Sequence, residues 1–302
     1  HAFIQPGEKG TIKEHERNAA SIAGHLMTLV ERRYNLVITH GNGPQVGNSL
    51  IRNEQTREVV PAMPLDVLVA ETAASLGYIM QQALLNQLRR RHIERWVVTV
   101  VSQVLVNTDY PAFNEPSTPI GPFLTEEEAK ERKETLDWNV KEDSGRGWRR
   151  VVPSPKPQKI FLGRMIRDSA VQGHIVISCG GGGIPVRYNE NNDIVGVEAL
   201  IDKDLTSSLL GVEVEAELMI ILTDVEKVFL NFNKSGQKAL DRLSVGEAEG
   251  YSAEGHFLAG SMGPKIEAAV RFVKWSGKEA IITSLDKALD AVSGKTGTHI
   301  VP

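Results

Sequence analysis

The chain has 302 residues, 41% of them hydrophobic and 24% charged, enough for two domains or one large one around a sizeable core. Its 34 Lys and Arg against 38 Asp and Glu give a net charge of −4, which argues against a general nucleic-acid or membrane-surface binder but leaves room for a local basic cluster. Aromatics are 6%, and Cys179 is the single cysteine, which argues against a base-stacking platform and rules out an intrachain disulfide framework and a cysteine zinc site. No apolar run approaches the ~20 residues of a membrane span. No signal peptide is read, so a reduced, cytoplasmic setting is expected. The first nine residues read as a loop.

Thr11-Ile-Lys-Glu14 has the spacing of a capping box. Apolar residues at 19, 22, 23, 26, 29 and 30 follow with a helical period, and the run closes on Glu31-Arg32-Arg33. Leu36–Thr39 is a short apolar run that reads as a buried strand, leading straight into His40-Gly-Asn-Gly-Pro-Gln-Val-Gly47. A long helix is predicted after Pro64, over Leu65–Leu88, closing with Arg89 to Arg91. Trp96–Val101 reads as another strand. Helix, strand, helix, strand predicts a parallel sheet covered by helices.

Residues 107–157 break this rhythm and hold half of the 14 prolines. They include an acidic helical stretch at Thr125–Lys130 and a charged run at Lys141–Arg150. Ordinary connections are shorter than about 12–15 residues, so this segment reads as an inserted subdomain or lid. The α/β pattern then resumes. A helix is expected over Ile160–Val171, ended by Gly173, then a strand at His174–Ser178 running into Cys179-Gly-Gly-Gly-Gly183. Asn189–Asp193 is turn-like, and Val195–Glu198 is extended. Ile201-Asp-Lys-Asp204 opens a helix, and Leu218–Thr223 is a strand ending at Asp224. Ser261 caps a helix that has Pro264 at its start and Gly277 at its end; Ala280–Thr283 and His299–Val301 are the last strands.

Two glycine-rich loops therefore follow buried strands, where open α/β sheets bind their ligands. Glycines there let backbone N–H groups approach an anion. One such loop is as readily a tight turn. Four consecutive glycines are harder to explain that way, because each costs roughly 0.5–1 kcal/mol relative to Ala. Gly41, Gly43 and Gly47 are too widely spaced for G-x-G-x-x-G, and Gly294-Lys295-Thr296 lacks the first glycine of a Walker A motif, so both assignments are rejected.

Lys141, Lys203 and Lys265 stand at element boundaries. A single lysine is usually a solvated surface charge. Lys203, however, lies between Asp202 and Asp204, two carboxylates that could orient its ammonium. Lys265 follows Pro264 in a helix first turn, where a cation opposes the dipole unless an anion also sits there. Phosphoryl transfer needs such point charges. The histidines show no metal-ligand spacing, so no protein metal site is expected. His40 reads as a structural hydrogen-bonding residue and Cys179 as buried and inert.

Together these stretches resemble the carbamate kinases of the amino acid kinase superfamily. The resemblance rests on His40–Gly47, Pro61–Asp66, Pro119–Phe123, Lys141–Arg150, Val152–Pro157, Cys179–Pro185, Ile201–Asp204, Leu222–Asp224, Gly255-His-Phe257 and Gly260-Ser-Met-Gly-Pro-Lys265, which run through nearly the whole chain. It implies a three-layer αβα sandwich around a mainly parallel sheet. Residues 1–212 would form a lobe binding carbamate or carbamoyl phosphate, with 107–157 as its protruding lid, and 213–302 a nucleotide-binding lobe. Gly41, Asn42, Gly43 and Gly180, Gly181, Gly182, Gly183 would bind the substrate phosphate. Lys203, Thr223, Asp224, Val225, Met262, Gly263, Pro264 and Lys265 would bind ATP or ADP. Lys141, Lys203, Asp204 and Lys265 would be catalytic, and Mg²⁺ would arrive on the nucleotide. A homodimer is implied.

The sequence departs from the family pattern at two places. The family begins with a strand ending in a Gly-Gly-Asn-Ala loop, and here His1-Ala2 stands where Asn-Ala would be, so upstream residues are expected to supply strand and loop. Thr206-Ser-Ser208 follows Asp204 where small and charged residues are more usual. Two other readings stay open: a different small-acid kinase of this fold, and a non-catalytic nucleotide sensor.

Overall fold

The computed structural model describes residues 3–5, 7–143, 147–257 and 262–302. Helix α1 (Ile12–Glu31) starts where the sequence places it, with the Thr11 hydroxyl accepting from the Glu14 N–H and the Glu14 carboxylate from the Thr11 N–H. That reciprocal cap satisfies two N–H groups the helix itself cannot. Strand β1 (Val37–Ile38) follows. No helix is predicted next from the sequence, yet α2 (Gly43–Thr56) begins inside the glycine loop. Pro44 sits in its first turn, where a missing N–H costs nothing. Val46 and Leu50 supply its buried stripe. Helix α3 (Leu65–Arg90) and strands β2 (Val97–Val100) and β3 (Gln103–Val106) complete this half.

The insert contains β4 (Thr118–Leu124), α4 (Glu126–Leu136), β5 (Val140–Glu142) and β6 (Trp148–Val152), with the strands in the antiparallel order β4-β6-β5. It does not merely hang on its proline arms. Ile120, Leu124, Ala129, Trp138 and Val152 share one core with Val46, Leu50, Leu65, Leu68 and Val69 of α2 and α3. The backbone of Gly121 comes so close to α2 that a Cβ there would lie 3.0 Å from Leu50.

Residues 157–160 are a strand rather than the start of a helix. Strand β7 (Pro157–Ile160) pairs Ile160 with Val104 of β3, and the Ile160 N–H donates to Glu213 at 3.0 Å. The predicted helix begins three residues later as α5 (Gly163–Val171). Then come β8 (Ile175–Ser178), β9 (Ile184–Tyr188), β10 (Ile194–Gly196) and α6 (Lys203–Glu213). Strand β8 lies between β1 and β2, parallel to both, while β10-β9-β3-β7 form a second sheet. The C-terminal part adds β11 (Leu218–Thr223), β12 (Val228–Leu230), β13 (Lys238–Leu240), β14 (Arg242–Ser244), α7 (Val245–Ala253), α8 (Met262–Ser276), β15 (Glu279–Ser284), α9 (Ala288–Val292) and β16 (Thr298–Val301). Its main sheet runs β11-β15-β16-β14, parallel except for the β15–β16 pair.

The layers follow from strand alternation. Ile175 and Ile177 of β8 are buried against α1 and α3, whereas Val176 between them joins Ile166, Ala170, Leu209 and Leu210 of α5 and α6. In β15, Ala280 and Ile282 pack with α8, and α9 covers the other face and touches α1. Helices α1, α3 and α9 thus form one layer and α5, α6 and α8 the other. Each fully buried Ile contributes roughly 1.5–3 kcal/mol to holding the sandwich together.

Candidate active site

The carboxyl ends of β1 and β8 carry the two glycine turns side by side. The Gly181 N–H donates to the His40 carbonyl at 2.7 Å, locking one turn onto the other. Gly181 has φ +71°, and a Cβ there would overlap the Asn42 amide at 2.1 Å. Gly182 has φ +91°, and its Cβ would meet the Ile201 carbonyl oxygen at 2.2 Å. These glycines are required by close approach as well as by backbone angle. Asn42 itself is buried and donates through Nδ2 to Thr72 Oγ1 at 2.9 Å.

Helix α6 begins immediately beside them. Asp202 caps it, its Oδ1 accepting from the N–H groups of Asp204 at 2.8 Å and Leu205 at 3.0 Å. Asp202 therefore does not share Lys203 with Asp204, because its carboxylate is used by the backbone. Asp204 instead holds two lysines. Its Oδ1 takes Lys203 Nζ at 2.7 Å and its Oδ2 takes Lys265 Nζ at 3.1 Å, although Lys265 comes from α8, 61 residues away. The Lys203 stem lies along Gly41, 3.1 Å from where a Cβ would be. One carboxylate thus fixes two ammonium groups at the edge of the glycine turns.

Burial pushes the Asp204 carboxyl up, but Lys203 and Lys265 outweigh it and hold it below the usual aspartate range. A depressed folded-state value means Asp204 stabilises the fold above its unfolded pKa, and this contribution is lost as pH falls through the lower folded value. Asp204→Asn should therefore flatten the acid side of a stability-against-pH curve measured by thermal melting. An unchanged acid limb would show that the two lysines do not depend on this charge.

The remaining predicted residues are placed as follows. Gly43 opens α2, is exposed, and a Cβ on it would meet nothing within 4 Å. Thr223 ends β11, with Asp224 and Val225 directly after it, and Met262, Gly263 and Pro264 form the first turn of α8, which packs on β11. The predicted cap Ser261 lies outside the described residues, as does His1-Ala2. Lys141 sits on β5 in the lid and is not brought to Asp204. His40 is buried, with Nδ1 3.1 Å from the Gly41 carbonyl and its ring 5.4 Å from that of Phe3. Burial pushes its pKa down and that of Cys179 up, to about 11.

Several supporting residues had no motif in the sequence. Thr206 Oγ1 donates to the Gly182 carbonyl at 2.8 Å, and Ser207 Oγ lies 2.7 Å from Thr39 Oγ1. The Thr-Ser-Ser departure thus ties α6 to both turns. Ser102 and Ser178 share a 2.8 Å hydrogen bond beneath the Gly180 turn. A helical period through residues 203–213 would have put Thr206 on the buried side, but its carbonyl partner is visible only in the fold.

The match to the family model for the amino acid kinase family spans residues 8–284; the chain belongs to that family and is a phosphotransferase. Within it the chain groups with the carbamate kinases. It is 47% identical over 304 aligned positions to the carbamate kinase of Thermococcus kodakarensis, covering all of this chain and 96% of that protein. It is 45% identical to the carbamate kinase of Trichomonas vaginalis, covering 100% and 97%. Among solved structures, carbamate kinase from Giardia lamblia bound to AMP-PNP superposes with a TM-score of 0.95 at 40% identity, over 99% of this chain and 95% of that one.

Proposed function

We propose that this chain moves a phosphoryl group reversibly between ATP and carbamate, that its residues divide the work as set out here, and that in the cell it forms ATP from carbamoyl phosphate released by catabolism of arginine or another carbamoyl compound. The observation that carries this is the shared carboxylate of Asp204, which presents Lys203 and Lys265 together beside two glycine turns. A carbamate oxygen attacks the γ-phosphorus, the bond to the ADP oxygen breaks, and the electron pair leaves with ADP. Carbamate is already an anion, so no general base is needed. Catalysis then rests on position and charge. Gly41, Asn42, Gly43 and the Gly180–Gly183 turn supply donors to the substrate. Lys203 and Lys265 hold the phosphates, and Lys141 arrives with the lid to neutralise the group in transit. Thr223, Asp224, Val225 and Met262–Lys265 line the nucleotide. No cluster of three or more His, Cys, Asp or Glu suited to a metal occurs among the described residues, and lysines dominate the site. Mg²⁺ would arrive held mainly by the nucleotide phosphates and would supply charge neutralisation there.

The test is direct: incubate the protein with carbamoyl phosphate and Mg-ADP and measure ATP. Stoichiometric ATP is expected. Normal ADP binding without ATP would favour a nucleotide sensor, and ATP from another acyl phosphate alone would favour a related kinase. Gly43→Ala separates binding from folding. The fold accommodates the methyl, so the melting temperature should hold within 2 °C or so, while KM for carbamoyl phosphate rises. An unchanged KM would remove Gly43 from the substrate site.

The reading includes a cytoplasmic homodimer built on α3. Ala74, Ser75 and Tyr78 are exposed along its outer face, and Trp96, 72% exposed, precedes β2, the last strand of its sheet on that side. Sedimentation at micromolar concentration should give a dimer mass that Tyr78→Asp lowers. A monomer in the unsubstituted protein contradicts it. No described helix is long and apolar enough to cross a membrane.

A further inference from the structure

Asp204 fixes the Lys203 and Lys265 ammonium groups relative to α6 and α8. It does not fix them relative to the Gly41 turn, which belongs to another element. A pair of hydroxyls one helical turn beyond Lys203 makes that link. Ser207 Oγ donates to the Lys203 carbonyl at 2.7 Å and lies 2.7 Å from Thr39 Oγ1. A hydroxyl has one proton. That of Ser207 goes to the carbonyl, so Thr39 donates to Ser207. A serine bonded to the carbonyl four residues back is common in helices. Here the same oxygen is also held from the chain leaving β1.

Val37, Thr39 and Gly41 alternate along that chain, and alternate residues of an extended chain share a face about 6–7 Å apart. All three meet α6. Val37 packs on the core that holds Leu209 and Leu210, Thr39 meets Ser207, and Gly41 meets the Lys203 stem. On a helix, residues four apart share a face at a rise of about 6 Å. The two spacings match. The chain from Thr39 to Gly41 therefore runs alongside the first turn of α6 in the opposite direction, with Thr39 against Ser207 and Gly41 against Lys203. The Lys203 stem already lies 3.1 Å from where a Gly41 Cβ would stand, so a small slide of α6 changes how far the ammonium reaches past the turn.

We propose that Thr39 and Ser207 are positioning residues for phosphoryl transfer: the hydrogen bonds from Thr39 to Ser207 and from Ser207 to the Lys203 carbonyl set the depth at which the Lys203 ammonium stands over the Gly41 turn. The inference rests on the role proposed above for Lys203.

Steady-state ATP formation from carbamoyl phosphate and Mg-ADP tests it on the whole protein, with thermal melting as a control on folding. Lys203→Met comes first. Near-normal kcat there would sink the role of Lys203, and this inference with it. If Lys203→Met is impaired, Thr39→Val, which keeps the shape and removes the hydroxyl, should lower kcat roughly 10-fold by misplacing one charge, with KM for ADP unchanged. Thr39→Ser keeps the hydroxyl and should restore most of that rate. In the Lys203→Met background, Thr39→Val should cost less than about 2-fold, because residues that act through one another are not additive. A merely structural pair predicts the same fractional loss in both backgrounds. That result, near-normal kcat in Thr39→Val, or a Thr39→Ser as slow as Thr39→Val would overturn the proposal while leaving the role of Lys203 intact. If Thr39→Val does not fold, Ser207→Ala takes its place in the two backgrounds, with the same outcomes expected and the same outcomes fatal.

Discussion

Lys203→Met is expected to lower kcat by roughly 10²–10³, about 2.7–4 kcal/mol of transition-state stabilisation, while changing ADP affinity far less. The lysine is held before substrate arrives: Asp204 fixes its Nζ at 2.7 Å, and Gly41 leaves a channel for its stem. A charge fixed in advance need not reorganise as negative charge moves onto the bridging oxygen, so it acts more on the transition state than on the bound nucleotide. Lys203→Arg should not restore the rate fully, because a planar fork cannot stand in the place of a compact ammonium beside Gly41. Steady-state kinetics with ADP titration in parallel would check both. A near-normal kcat in Lys203→Met would reduce the lysine to a surface charge and leave Lys265 and Lys141 to carry the site.

Gly182→Ala is the second substitution with a large expected effect, and it acts through the fold. The residue has φ +91°, a region where an added Cβ is strained. The same Cβ would press into the Ile201 carbonyl oxygen at 2.2 Å, and that backbone leads directly into Asp202 and α6. Left-handed strain of about 1–2 kcal/mol and overpacking of about 1–3 kcal/mol add. A fall in melting temperature on the order of 5 °C or more is expected, together with loss of turnover as α6 shifts away from the turns. The hydrogen bond from Thr206 to Gly182 would be disturbed in the same movement. A protein that melts and turns over normally would show that this turn has more room than the geometry allows.

The long amphipathic helices and buried parallel strands were legible because one period governs many residues, as in α1 and α3. Thr11 and Glu14 marked a helix start to the residue. Helix α2 was hidden because Gly43, Pro44 and Gly47 look like loop, whereas in the fold the proline sits in a first turn and Gly47 is buried in the helix opposite Gly121 of the lid. Strand β7 is not legible in the sequence, and Ile160 reads as the start of the following helix, because the strand's pairing partner, β3, lies more than 50 residues upstream. Helix α7 carried a usable signal that was passed over, the Ser244–Glu247 capping box. The site was half visible. Glycine turns after strands and lysines at boundaries could be named, but proximity in sequence assigned Lys203 to two aspartates alike. Only the fold shows Asp202 spent on a helix cap and Asp204 reaching Lys265 across 61 residues.

The central claim is that Asp204 presents Lys203 and Lys265 to the group being transferred. It is tested most directly by a crystal structure with Mg-ADP and a planar phosphoryl mimic such as aluminium fluoride. Both lysine Nζ atoms are expected within hydrogen-bond distance, roughly 2.7–3.2 Å, of the nucleotide phosphates or the mimic, with the Asp204 carboxylate still between them. A nucleotide bound with its phosphates away from Lys203 and Lys265, or Asp204 released from both, would contradict it.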